Sequence, residues 1–215
     1  MGAIKIEFFH DVLCSYCFAF SPRMRQLVTL RPEIELQHRS FALLPSAAEF
    51  EQSFPSREEA KEEILSHWAH ANENDDAHRF NIEGMRKTAF LFPISTPALL
   101  ACEAAKQVAG QAGYWDLFDA LQKAFFVDSR NVEEEEVLAS CVQQVGIDVA
   151  AWRAAFTARS AKEDLQADLQ RAVQLGIHVV PSLVINEKYL VSGALPLADL
   201  LQAVDRAAAE GQSAE

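Results

Sequence analysis

The chain has 215 residues, 50% of them hydrophobic and 23% charged, which is enough to bury a sizeable core in a globular protein. A net charge of −12 argues against a general affinity for nucleic acid or for an anionic membrane surface. No apolar run reaches the length of a membrane span, and Met1 leads into a strand pattern without the basic, apolar and cleavage regions of a signal peptide, so a cytoplasmic location is expected.

Residues 4–9 alternate and are rich in branched and aromatic side chains, which predicts a strand. Directly after it stands Cys14-Ser15-Tyr16-Cys17, followed by Phe18, Leu27, Val28 and Leu30 at near-helical spacing. Two thiols three residues apart therefore open a helix. Unpaired N–H groups at a helix start carry partial positive charge and stabilise a thiolate. Cys14 is expected at the exposed first position, with Cys17 one turn in and pointing at the sheet. From there Cys17 can attack a mixed disulfide on Cys14 and release the substrate.

Two other uses of such a pair fit less well. Zinc needs a second pair at ligand spacing, and Cys102 and Cys141 are isolated from each other and from the motif, so no metal is expected. A structural disulfide across two residues would constrain the unfolded chain little. Cys102 and Cys141 lie in apolar helical settings and read as buried, inert thiols.

Pro32 breaks the first helix, and residues 33–39 alternate as a second strand. A proline-containing loop over 44–55 leads to a helix running to about Asn72. There Ser56 and Glu59 resemble a capping box, and Glu58, Glu59, Glu62 and Glu63 crowd the start. Residues 79–92 are aromatic-rich and carry no clear period. Ser95 or Thr96 caps a helix with Pro97 in its first turn, ending near Gly110. Further helices are expected over 114–126, from Asn131 or Val132 to Gly146, from Asp148 past Trp152 and Phe156, and over 161–175 up to Gly176. Residues 182–185 and 189–191 form a hairpin around Asn186-Glu187-Lys188, Pro196 opens a last amphipathic helix, and 211–215 read as a frayed tail. A hairpin alone cannot bury its apolar face, so the late strands must complete the sheet begun at the start of the chain.

Three blocks of residues resemble one known family. They are Phe8-Phe9-His10-Asp11-Val12-Leu13-Cys14-Ser15-Tyr16-Cys17, the helical middle, and Gly176-Ile177-His178-Val179-Val180-Pro181-Ser182 with the hairpin to Ala194. Together they resemble the DsbA-like branch of the thioredoxin superfamily, and more closely its FrnE-type members, which are related to 2-hydroxychromene-2-carboxylate isomerases. The resemblance implies an α/β thioredoxin fold with an inserted all-helical domain, divided as 1–48 plus 174–215 around an insertion at 49–173. It implies a thiol–disulfide oxidoreductase with Cys14 as nucleophile and Cys17 as resolving thiol. It also implies that Pro181 is a cis-proline facing them, leaving the backbone of Val180 free to pair with an extended substrate.

The resemblance further implies a redox-active disulfide in place of a bound cofactor. Partners would be disulfide-bearing protein or thiol substrates, with glutathione or a thioredoxin-type reductant as electron partner. Ser15-Tyr16 departs from the Pro-His or Pro-Trp pairs of such families, which leaves the direction of electron flow open. Glu7 and Asp11 are alternative proton acceptors for Cys17 or else solvated strand-end charges, and His10 either tunes Cys14 electrostatically or serves packing and hydrogen bonding. A glutathione-dependent isomerase is the second reading, though that chemistry needs no resolving thiol. A third is a non-enzymatic holder of apolar partners, with Phe90, Phe92, Phe125 and Phe126 lining a groove.

Overall fold

The computed structural model describes residues 3–57 and 59–212, with side chains as far as 210; Glu58, one of the four glutamates expected to crowd a helix start, and the end of the tail lie outside them. Four strands form one sheet in the order β2-β1-β3-β4, where β1 is Ile4–His10, β2 Ile34–Ser40, β3 Ser182–Ile185 and β4 Tyr189–Ser192. β2 runs parallel to β1, while β3 and β4 are antiparallel to their neighbours. The parallel pair needs a crossover, which α1 (Ser15–Leu30) supplies; the late hairpin turns tightly through Asn186 and Glu187, both at positive φ. This is a thioredoxin-type α/β fold carrying many helices between its second and third strands.

The period of two along β1 separates the two faces of the sheet. Ile4, Ile6 and Phe8 join the main core with Leu27 of α1 and with Leu200 and Val204 of α9 (Leu197–Gln212). Burying a side chain such as Phe8, which has no exposed surface, contributes roughly 1.5–3 kcal/mol. Phe9 points the other way, into a smaller cluster with Ala172, Ile177 and Val184. That second face is closed by α8 (Arg159–Gln174), so the last helix before the late strands serves the sheet as well as the helical middle.

Between β2 and α8 lie α2 (Ala47–Ser53), α3 (Ala60–Asn74), α4 (Ile82–Arg86), α5 (Ser95–Phe126), α6 (Glu135–Gln144) and α7 (Val149–Thr157). The loop expected over 44–55 contains α2. Its capping box is Ser46 and Glu49: the Glu49 N–H donates to Ser46 Oγ at 3.2 Å and the hydroxyl donates back to the carboxylate at 2.7 Å. Ser56 does accept from the Glu59 N–H, but α3 begins only at Ala60, with no side-chain cap. Residues 79–92, without a period in the sequence, contain the short α4.

The two helices expected over 95–110 and 114–126 join into α5, interrupted where Ala109 and Gly110 leave helical geometry and Gly110 takes φ +68°. Gly176 ends α8 at φ +67°, a conformation that favours glycine. Among the described residues no helix is long and apolar enough to cross a membrane.

Candidate active site

Cys14 is the N-cap of α1. The Cys17 N–H donates to its sulfur at 3.1 Å, in the place where a serine or aspartate oxygen commonly accepts. The Cys14 thiol donates to the Val180 carbonyl oxygen at 3.5 Å, across the Val180–Pro181 peptide, which is cis. All four cysteines are free thiols. Ser15 is half-buried, and Tyr16 is 40% exposed beside the pair.

The exposed position expected for Cys14 is not observed: the residue is only 4% exposed. The cap position tucks its sulfur under the first turn, and the 180–181 loop covers it from the far end of the sequence. Cys17 is fully buried, and burial pushes its thiol well above the ordinary range, with the hydrogen bond to Cys14 and the charge of Cys14 adding to the rise.

Asp11 is the residue after β1, and its carbonyl oxygen accepts the Cys14 N–H at 3.1 Å. Its carboxylate accepts the Leu13 N–H at 3.0 Å on one oxygen, and the Leu43 N–H at 2.7 Å and the Ser95 hydroxyl at 2.6 Å on the other. Complete burial raises its pKa from 3.8 to about 6, against the opposing pull of those three donors. Asp11 interacts electrostatically with Cys17. Gln122 of α5 brings its amide to 3.5 Å from the Asp11 and Val12 carbonyl oxygens.

Glu7 and His10 are placed elsewhere. Glu7 sits on the α8 face of β1, where Arg39 and Arg171 donate to its carboxylate at 2.9 and 2.8 Å. Burial alone would raise its pKa, but those two guanidinium groups outweigh it and hold the carboxyl below its usual value. Glu7 shares the face of Phe9, toward α8, whereas Cys14 and Cys17 join the core on the opposite face with Phe8. His10 turns into the core, with Nε2 at 2.9 Å from His38 Nδ1 and its ring 4.0 Å from that of Phe118. Burial, then the neighbouring His38, pushes it well below the ordinary histidine range, so it is a neutral core residue rather than a charge near Cys14.

The aromatic groove is likewise corrected to core. Phe92, Phe125 and Phe126 are at most 1% exposed and pack around Trp68, with Phe126 at 4.6 Å and Phe125 at 5.2 Å between ring centres. Phe90 is partly buried against the same cluster. Cys102 and Cys141 are fully buried.

Ser95 was legible in the sequence only as a helix cap. In the structure the cap position is Ile94, and the Ser95 hydroxyl turns to Asp11 instead. Leu43 and Gln122 carry no sequence signal at all, because their contributions are a backbone N–H and an amide brought in by tertiary contact.

The DsbA-like thioredoxin domain model matches residues 5–205. A ClpXP adapter protein, SpxH from Halalkalibacterium halodurans, is 26% identical over 189 residues, covering 84% of this chain and 58% of that protein, so the chain spans less than three fifths of this relative's length. The cytosolic disulfide reductase DsbM from Pseudomonas aeruginosa superposes with a TM-score of 0.70 at 15% identity, covering 97% of each chain. A 2-hydroxychromene-2-carboxylate isomerase superposes equally well, with a TM-score of 0.70 at 13% identity, covering 98% of this chain and 99% of the other. At those identities the likeness of the solved structures is one of fold. The family match covers nearly the whole chain, including the thiol pair and the late loop, and on that ground the chain belongs to the DsbA-like thioredoxin-domain family.

Proposed function

We propose that this protein is a thiol–disulfide oxidoreductase in which Cys14 attacks and Cys17 resolves, acting on disulfide-bearing proteins or small thiols. The observation that carries this reading is the juxtaposition at Cys14. One sulfur accepts a helix-start N–H and meets the Val180 carbonyl, with a second thiol one turn on that the buried Asp11 carboxyl acts on electrostatically.

In the reducing direction the Cys14 thiolate attacks one sulfur of the substrate disulfide. A bond forms between the two sulfurs, and the other substrate sulfur leaves as thiolate with the electron pair. Cys17 then passes its proton to Asp11 and attacks the Cys14 sulfur. The Cys14–Cys17 disulfide forms and the second substrate thiolate leaves, so the substrate gains two electrons and the protein loses two.

The electrostatics fit this order. Burial raises the Cys17 thiol, and two further causes are the hydrogen bond with Cys14 and the charge on Cys14. Both vanish once Cys14 is tied up as a mixed disulfide. Burial, the larger cause, remains, so Cys17 is easier to deprotonate at the resolving step than in the resting dithiol and still needs a proton acceptor. The Val180 backbone, half-buried beside the cis-Pro181, is the edge along which an extended substrate would lie. Glutathione or a thioredoxin-type reductant would restore the dithiol, and reduced cytosolic conditions suit a transient disulfide.

An insulin-reduction assay with dithiothreitol tests the reading. Activity is expected to vanish in Cys14→Ser, and a mixed disulfide is expected to accumulate in Cys17→Ser; unchanged turnover in the Cys14 variant would dispose of it. The second reading, a glutathione-dependent isomerase, is favoured by the fold shared with an enzyme of that name. It predicts isomerisation of an aromatic substrate that survives Cys17→Ser.

A further inference from the structure

Ser95 is the first residue of α5 and is completely buried, yet it does not cap its helix. Its hydroxyl oxygen accepts the Leu44 N–H at 3.0 Å, and its own N–H donates to the Leu44 carbonyl at 2.7 Å. Next to it the Thr96 hydroxyl donates to the Pro45 carbonyl at 2.5 Å. The loop 41–46 and the start of α5 are thus laced together by backbone and hydroxyl groups.

A serine hydroxyl has one proton to give. Leu44 presents a donor to that oxygen, so the hydroxyl proton is directed away from Leu44, and the acceptor it meets is Asp11 Oδ2 at 2.6 Å. The same carboxylate oxygen takes the Leu43 N–H at 2.7 Å, from the residue before Leu44. Two donors converge there and a third, the Leu13 N–H, meets the other oxygen. All three donors favour the ionised carboxylate, and Oδ1, which accepts only one of them, keeps a lone pair on which a proton can be taken.

We propose that Ser95 is a positioning residue for disulfide exchange: its hydroxyl, oriented by Leu44, holds the Asp11 carboxylate ionised and fixed in its donor cage, so that docking of α5 on the loop 41–46 sets how fast Cys17 releases the mixed disulfide. This rests on the reading of Asp11 as the proton acceptor for Cys17. The inserted helices then have a part in the chemistry through the Asp11 cage.

The ionisable groups facing Asp11 are Cys17 from α1 and Cys102 from α5. The loop 41–46 brings only backbone donors and apolar or hydroxyl side chains, and Gln122 brings an uncharged amide. Cys102 is pushed well above its ordinary range, by burial first, and stays neutral. The acceptor's proton affinity is therefore set chiefly by its burial, against the pull of Ser95 and of the backbone at Leu13, Leu43 and Val12.

The test uses the full chain carrying a mixed disulfide on Cys14 with a chromogenic aromatic thiol. Release of that thiol is followed from pH 4.5 to 9 in the wild type, Ser95→Ala and Ser95→Thr. Loss of a hydrogen bond to a charged carboxylate is expected to move the rate inflection of Ser95→Ala upward by about one pH unit, which is about tenfold slower release on the acid side. Ser95→Thr, which keeps the hydroxyl, is expected to restore the wild-type profile. An Ala variant with an unmoved inflection overturns the proposal.

Should the Ala variant fail to fold, the carboxyl carbon of Asp11 in the intact wild type decides by isotope-labelled NMR. Its titration must coincide with the release inflection, and a separation greater than about one pH unit overturns the proposal. The two readings fail separately. Absence of any mixed disulfide on Cys14 removes the exchange reading itself, whereas its formation with an unmoved inflection removes only the role of Ser95.

Discussion

Glu7 in the middle of β1 and Asp11 just past its end are two buried acids, and the structure gives them opposite fates. Glu7 faces α8 and meets two guanidinium groups; Asp11 faces α1 and α5 and meets only neutral donors. Burial acts against the charge of both. Positive partners overcome it at Glu7, whose pKa falls, whereas neutral hydrogen bonds only reduce it at Asp11, whose pKa rises to about 6. An ion pair fixes a charge for stability, and a cage of neutral donors leaves a carboxyl able to take a proton near neutral pH.

The largest expected effect separates the two by rate. Asp11→Asn should slow resolution of a Cys14 mixed disulfide on the order of 10²–10³-fold, as loss of a proton acceptor does, while Glu7→Gln leaves that rate unchanged. Equal slowing in both would erase the distinction.

The next separates them by pH. A carboxyl raised in the folded state binds protons more tightly there than in the unfolded chain. Asp11 should therefore lower stability by about 3 kcal/mol as pH rises from roughly 4 to 6, levelling above that. Glu7 works the other way: its contribution is present above the unfolded value of 4.5 and is lost as pH falls through its lower folded value. Urea unfolding of the reduced protein across pH 3–8 checks this, and Asp11→Asn should abolish the decline between 4 and 6. The smallest effect is on Glu7 itself. Its replacement by Gln should cost about 1 kcal/mol near neutral pH, because Arg39 keeps its bond to Asp168 at 2.8 Å and both arginines are part-exposed. A loss several times larger would mean that the Glu7 cluster holds the second face of the sheet together.

Much of this was open to reading in the residues. Alternation in 4–9 and 33–39 placed the two parallel strands, and the Asn186-Glu187 turn placed the hairpin, since both signals are local. Cys14 and Cys17 announce exchange chemistry by spacing alone. What stayed hidden depended on contact between distant segments. Glu7 and Asp11 were both candidate acids until the arginines of β2 and α8 at Glu7, and the end of β1 before Asp11, separated them. His10 was open to tuning Cys14 or to packing until its burial and its pairing with His38, 28 residues on, placed it in the core.

The sequence by itself determined that two thiols open a helix after a strand and that the sheet must be completed from the far end of the chain, because spacing and hydrophobic period are properties of neighbours. The tertiary structure alone decided that Cys14 is buried beneath Val180 and that Asp11 is caged by Leu13, Leu43 and Ser95. Burial and hydrogen bonding set the proton affinity of a group, and both are supplied here largely by segments tens of residues away in the chain.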